Sequence, residues 1–158
     1  MNSNVRAASW HTSDERKAVD TARALTDADV NVVSKLREAI RDDWFPHQDQ
    51  FRAAVLAAFA GPALPARPGW EPFDQTRRRI RAAVDRIVER SPTDVVLVGH
   101  GTAWTLLVSE ITGQAPDLES WGRLQTPDLC TLDLDLGAVV RDWGTWQSES
   151  PATPPAAS

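Results

Sequence analysis

Tyrosine is missing from this chain of 158 residues, and cysteine and methionine occur once each. With Cys130 alone, no internal disulfide can form, which fits a reducing, cytoplasmic setting. Cys130 falls in a strand-like stretch, where it reads as a small buried apolar side chain rather than a nucleophile. Histidine is scarce as well. His11, His47 and His100 lie far apart and show no ligand spacing, so no metal centre and no bound cofactor are expected. Long apolar runs are lacking: none approaches the ~20 residues of a membrane helix, so no membrane partner is expected. The first six residues have no apolar centre of the kind a secretory signal carries. There is no excess of positive charge either. The formal net charge is −5, which argues against a general nucleic-acid binder.

What is present suits one ordinary domain. Hydrophobic residues make up 42% of the chain and charged residues 25%, enough to build a real core. Residues 1–146 read as that domain. Residues 147–158, rich in Pro, Ala and Ser, read as a disordered tail. Residues 5–9 suggest a short strand. Thr12 with Glu15 then reads as a capping box opening a helix over 13–26, where Ala18, Ala22 and Leu25 recur at helical spacing. His11 falls at the start of that helix. Residues 30–33 suggest a second strand. Phe51, Val55 and Phe59 mark another helix, and the proline-rich segment 61–69 an ordered loop held by Trp70. Residues 73–90 predict a long helix with Ile80, Val84, Ile87 and Val88 on one side. Its arginines Arg77, Arg78, Arg79 and Arg81 read as a solvated face. A short helix over 117–124 and a half-exposed strand over 129–136 follow, the latter turning Cys130, Leu132, Leu134 and Leu136 one way. Residues 139–143 pair back as an edge strand. Strands alternating with helices predict a three-layer α/β sandwich with a mostly parallel sheet.

The segment 94–102 carries the chemistry. An apolar run, Val95-Val96-Leu97-Val98, ends in Gly99-His100-Gly101-Thr102. Such a run predicts a fully buried parallel strand. Ligands of open α/β sheets bind beyond the carboxyl ends of the strands, and His100 stands there. A helix begins near Thr102 and closes at Gly113. Its first N–H groups point at the same place and suit an anion such as phosphate.

Several segments, in order, resemble the signatures of the histidine phosphatase, or phosphoglycerate-mutase-like, superfamily. Ser13-Asp14-Glu15-Arg16-Lys17-Ala18-Val19-Asp20-Thr21-Ala22 is similar to its S-P-x-x-R-A-x-x-T-A segment. Leu36-Arg37-Glu38 resembles its L-x-E acid motif, Gly69-Trp70-Glu71 its G-E-S region, and Val98-Gly99-His100-Gly101 its second H-G motif. The stretch from Pro127 to Cys130 resembles the strand that follows. The resemblance implies a phosphoglycerate-mutase-like fold and phosphomonoester hydrolysis or phosphoryl transfer through a phosphohistidine, with no metal. It assigns His100 to the phosphate pocket, Glu38 to proton donation, and Lys17, Ser13, Gly101 and Thr102 to substrate binding. The implied partner is inorganic phosphate or a phosphorylated small molecule.

Two departures stand out. Lys17 occupies the place of the motif's Arg and offers a point charge instead of a planar fork. The family's opening strand, ending in Arg-His-Gly with the nucleophile, has no counterpart in the chain. Either the start lies further upstream or the chain is a degenerate member that binds phosphate or a partner without turnover. Both readings predict weak or absent catalysis, and an unpaired inner strand would invite association into homo-oligomers. A nucleophile elbow of the α/β-hydrolase type does not fit, because Gly101 holds the central position of Gly99-His100-Gly101-Thr102-Ala103.

Overall fold

The computed structural model describes residues 7–145. A parallel sheet forms its centre, built from β1 (Ser9–Thr12), β2 (Val30–Val32) and β3 (Val95–Val98) in the order β2-β1-β3. Parallel neighbours need long crossovers, and helices supply them. Helix α1 (Arg16–Leu25) links β1 to β2. A 3-10 turn (Ser34–Leu36) and helices α2 (Gln48–Ala60) and α3 (Phe73–Arg90) lie between β2 and β3. Then come α4 (Gly101–Thr112), α5 (Leu118–Arg123) and a separate antiparallel hairpin of β4 (Thr131–Asp133) and β5 (Ala138–Arg141).

Helix α3 buries Ile80, Ala83, Val84 and Ile87, a three-and-four spacing that gathers one face. That face packs on Ala103 and Leu107 of α4, on Leu36, and on Val95 and Leu97 of β3. A second cluster joins Val55 and Ala58 of α2 to Trp70, Phe73 and Leu106, with Phe45, Phe51, Phe59 and Trp121 around it. Trp70 is buried, and its backbone N–H donates to the Arg67 carbonyl of the 61–69 loop at 3.1 Å.

Several local expectations are corrected. The first strand lies at Ser9–Thr12 rather than 5–9; residues 1–6 lie outside the described residues. His11 is therefore inside β1, opposite Leu97, and not at a helix start. Thr12 does not cap a helix. Its hydroxyl donates to the Val98 carbonyl at 3.0 Å, locking β1 to β3, and α1 begins only at Arg16. Pairing on both sides of β1 outweighs one local cap. Strand β3 is half-buried along its whole length, not enclosed, because it closes one edge of the sheet with β1 as its neighbour. The expected strand over 129–136 shortens to Thr131–Asp133. A turn follows, which leaves Leu134 and Leu136 exposed instead of aligned with Leu132. Gly113 takes a left-handed φ of 67° and ends α4 as expected. The tail over 147–158 lies outside the described residues.

Candidate functional site

β1 and β3 run side by side in the same direction, with Thr12 opposite Val98. The segments that leave them emerge together at the carboxyl end of the sheet. One carries Ser13, Glu15 and Lys17, the other Gly99, His100 and the start of α4. This register places Ser13 Oγ 2.8 Å from His100 Nε2, although 87 residues separate them in sequence. Gly99 permits the close turn: a Cβ there would lie 2.5 Å from a ring carbon of Trp104.

Glu15 joins the cluster from the same segment. Its Oε1 lies 3.1 Å from His100 Nε2 and accepts the Glu38 N–H at 3.0 Å. Its Oε2 lies 3.5 Å from Lys17 Nζ. A carboxylate only accepts, so Nε2 carries the imidazole proton. Burial lowers the His100 pKa below its ordinary 6.5; Lys17 and Arg41 push the same way, and the carboxylates of Glu38 and Glu15 oppose them. His100 is therefore a neutral donor at pH 7. Burial raises the Glu15 pKa, but the Glu38 N–H, His100 and Lys17 together outweigh it and hold the carboxyl below its usual range.

Glu38 faces the start of α4. Its Oε1 accepts the N–H of Ala103 at 2.9 Å and that of Ala39 at 2.9 Å, and its Oε2 accepts the N–H of Thr102 at 3.2 Å. Arg41 Nη2 lies 3.3 Å from the same Oε2. The carboxylate thus caps α4 from another part of the chain and neutralises its positive end. Thr102 meets Glu38 through its backbone N–H, and its hydroxyl accepts the indole N–H of Trp121 at 3.3 Å.

The backbone that carries Glu38 is clamped from below. Arg79 grips Glu71 with two bonds, 3.0 Å from Nε and 2.7 Å from Nη2. The same guanidinium donates to the carbonyls of Lys35 (2.7 Å), Arg37 (3.1 Å) and Glu38 (3.3 Å). Glu71 in turn accepts the Ile40 N–H at 3.2 Å. Burial raises the Glu71 pKa, but the hydrogen bonds from Arg79, Thr76 and Ile40 outweigh it and leave the carboxyl low. Arg79 is therefore a buried clamp, which corrects its expected place on a solvated face. Arg77 pairs with Asp74 and Glu110, and Arg81 with Asp85. Arg78 donates to its own helix and stays exposed.

The structure brings together His100, Ser13, Glu38, Gly101 and the Thr102 backbone. Lys17 attaches at the rim through Glu15, its side chain 71% exposed. His11 stands apart. Its Nε2 lies 2.8 Å from Ser9 Oγ, back along β1 and away from the site, and burial lowers its pKa. Cys130 is half-buried, with its thiol pushed up to about 12 by burial and by Asp142 and Asp128, which suits no nucleophile. Sequence reasoning missed Glu15, taken as a capping residue, and Arg41. The signal for Glu15 was its position between Ser13 and Lys17. Among the described residues no cluster of His, Cys, Asp and Glu could hold a metal ion, and no helix is long and apolar enough to cross a membrane.

The sequence pattern of the histidine phosphatase superfamily (branch 1) matches residues 2–147. The chain belongs to that superfamily. No curated protein matches it. Among solved structures it is similar to mycobacterial hydrolase 1, at 27% identity and a TM-score of 0.60, over 77% of this chain and 66% of that one. It is similar also to a mycobacterial glucosyl-3-phosphoglycerate phosphatase in complex with VO3, at 28% identity and a TM-score of 0.58, over 74% of this chain and 63% of that one. YhfR of Bacillus stearothermophilus shares the fold at 23% identity, with a TM-score of 0.61 over 90% of this chain and 75% of that one. The chain thus spans about two thirds of the length of the two mycobacterial proteins. The α/β fold with a three-stranded parallel sheet flanked by helices matches phosphoglycerate-mutase-like folds.

Proposed function

We propose that this site receives the phosphoryl group of a phosphorylated small molecule, or inorganic phosphate. One observation carries the reading. The donors that face the carboxyl end of the sheet, His100 Nε2 and the N–H groups of Thr102 and Ala103, each already hold a carboxylate oxygen. Carboxylates held at these donors support reading the place as an anion site. His100 and Ser13 hold phosphoryl oxygens, Gly101 and Thr102 supply the backbone of the α4 start, and Lys17 adds charge at the rim. Glu38 is the acid that protonates the leaving alcohol. The phosphatase named among the structural neighbours, which acts on glucosyl-3-phosphoglycerate, supports a phosphorylated small molecule as ligand.

The 158 residues contain no Arg-His-Gly, and for these residues taken alone we propose weak or absent phosphoryl transfer through a phosphohistidine. Loss of a nucleophile removes several orders of magnitude in rate and leaves a residue of activity from the binding groups. A second reading, phosphate binding without turnover, is favoured by Glu38, whose two oxygens are both engaged as a helix cap. An aryl phosphate assay and a vanadate titration followed by Trp104 fluorescence separate the two. Weak hydrolysis lost in His100→Ala supports the enzyme; millimolar binding without hydrolysis supports the module. Robust turnover that survives His100→Ala overturns both.

A further inference from the structure

We propose that Arg41 is the cation that receives the phosphoryl group, and that Glu38 is a resident carboxylate which the incoming anion displaces. The proposal rests on the phosphate reading above and adds the residue that anchors the charge.

Lys17 is poorly placed for that work, being mostly exposed and already paired with Glu15. Arg41 is the opposite case. Its side chain is only 13% exposed. Its guanidinium lies 5.0 Å from the centre of the Phe51 ring and 5.6 Å from that of Trp70, so two aromatic faces hold it in place. Nη2 meets Glu38, while Nη1 is buried with no hydrogen-bond partner among the described residues. A buried donor left unpaired is unfavourable. The carboxylates of the cluster leave Nη1 unsatisfied.

A phosphoryl group supplies what is lacking. A carboxylate has two oxygens, and both of Glu38 are in use: Oε1 with Ala39 and Ala103, Oε2 with Thr102 and Arg41. A phosphomonoester has three terminal oxygens. It can take the N–H groups of Thr102 and Ala103 with two and give the guanidinium fork a bidentate contact that includes Nη1. The Glu38 side chain is 16% exposed, and its displacement requires the carboxylate to rotate away from the Thr102 and Ala103 N–H groups.

Orthophosphate binding, measured calorimetrically at fixed ionic strength, tests this on the full chain. Arg41→Met keeps the packing between the rings and should weaken binding about tenfold or more, whereas Lys17→Met should cost less than about threefold. Glu38→Gln removes the competing anion and should tighten phosphate binding several-fold, a gain that a purely structural role does not produce. Should Arg41→Met unfold, Arg41→Lys and Glu38→Gln carry the test, each with its thermal midpoint measured alongside. Equal affinity in wild type and Arg41→Met overturns the proposal. So does weaker binding in a folded Glu38→Gln, a larger loss in Lys17→Met, or wild type that binds no phosphate at about 50 mM. A chain that hydrolyses aryl phosphate in a His100-dependent way, yet fails these tests, keeps the phosphate reading and loses Arg41.

Discussion

Removing Arg79 should cost more than removing any other arginine of α3, and the reason lies in what remains behind. The Arg79 side chain is 14% exposed and that of Glu71 only 4%. Arg79→Ala leaves the Glu71 carboxylate buried without its cation, and strips the carbonyls of Lys35, Arg37 and Glu38 of a shared donor. Breaking one side of a buried pair costs about 3–5 kcal/mol. With a urea slope of about 2 kcal/mol per molar for a domain of this size, the midpoint should fall by roughly 1.5–2.5 M. The indoles at positions 10, 70, 104 and 121 report the transition by fluorescence. Arg78→Ala is the internal control: it is exposed on the same helix and should move stability by no more than about 0.5 kcal/mol. Removing both partners relieves the stranded charge. The double variant Arg79→Ala/Glu71→Ala should therefore fall well short of the sum of the singles, with a coupling of about 2 kcal/mol or more. Because the clamp holds the backbone of Glu38, hydrogen exchange at Thr102 and Ala103 should accelerate too. An Arg79→Ala midpoint within about 0.5 M of wild type, or additive singles, would refute the clamp.

Acid should destabilise the protein in two stages. In the unfolded chain His11 and His100 take up protons as pH falls through 6.5, whereas burial holds both imidazoles neutral to lower pH in the folded chain. The unfolded state then binds more protons, so urea midpoints should decline from pH 6.5 downward, and again below about pH 4.5 as Glu71 and Glu15 are forced to protonate; midpoints that rise between pH 6.5 and 5 would contradict this. Gly99→Ala drives a methyl group to 2.5 Å from the Trp104 ring and should cost about 1–3 kcal/mol, visible as a changed Trp104 environment in near-UV circular dichroism. Thr12→Val strips the bond from a fully buried hydroxyl to the Val98 carbonyl and should cost about 1–3 kcal/mol, as a thermal-melt shift would show.

Elements with strong periodicity were legible from sequence. Helix α3 runs from Phe73 to Arg90 as expected, and α4 ends at Gly113 because only a residue at ease with positive φ closes it there. Boundaries set by tertiary partners were not legible. Thr12 and Glu15 have the types and spacing of a capping box, and nothing local says otherwise. What overrules the box is β3, more than 80 residues away, which offers the Val98 carbonyl to Thr12 and His100 to Glu15. In the same way, the period of two over 129–136 predicts a strand of that length. The partner strand β5 ends the pairing at Asp133 and hands the rest to a turn.

The site shows the same division. His100, Ser13 and Glu38 could be named from their motifs, since each stands where a strand or turn releases the chain toward one end of the sheet. Their use could not. Glu38 reads as an acid in sequence, yet in the fold it caps a helix that begins 63 positions later. Arg79 reads as surface charge, and Arg41 draws no reading at all, because an arginine beside acidic residues has no sequence mark of burial. The rings of Phe51 and Trp70 make Arg41 a buried cation, and the Glu71 carboxylate does the same for Arg79. The charge of this site is therefore set less by which ionisable residues the chain carries than by which of them the aromatic and helical packing denies to water. The arginines of the site must be found by burial, whereas its histidine could be found by motif.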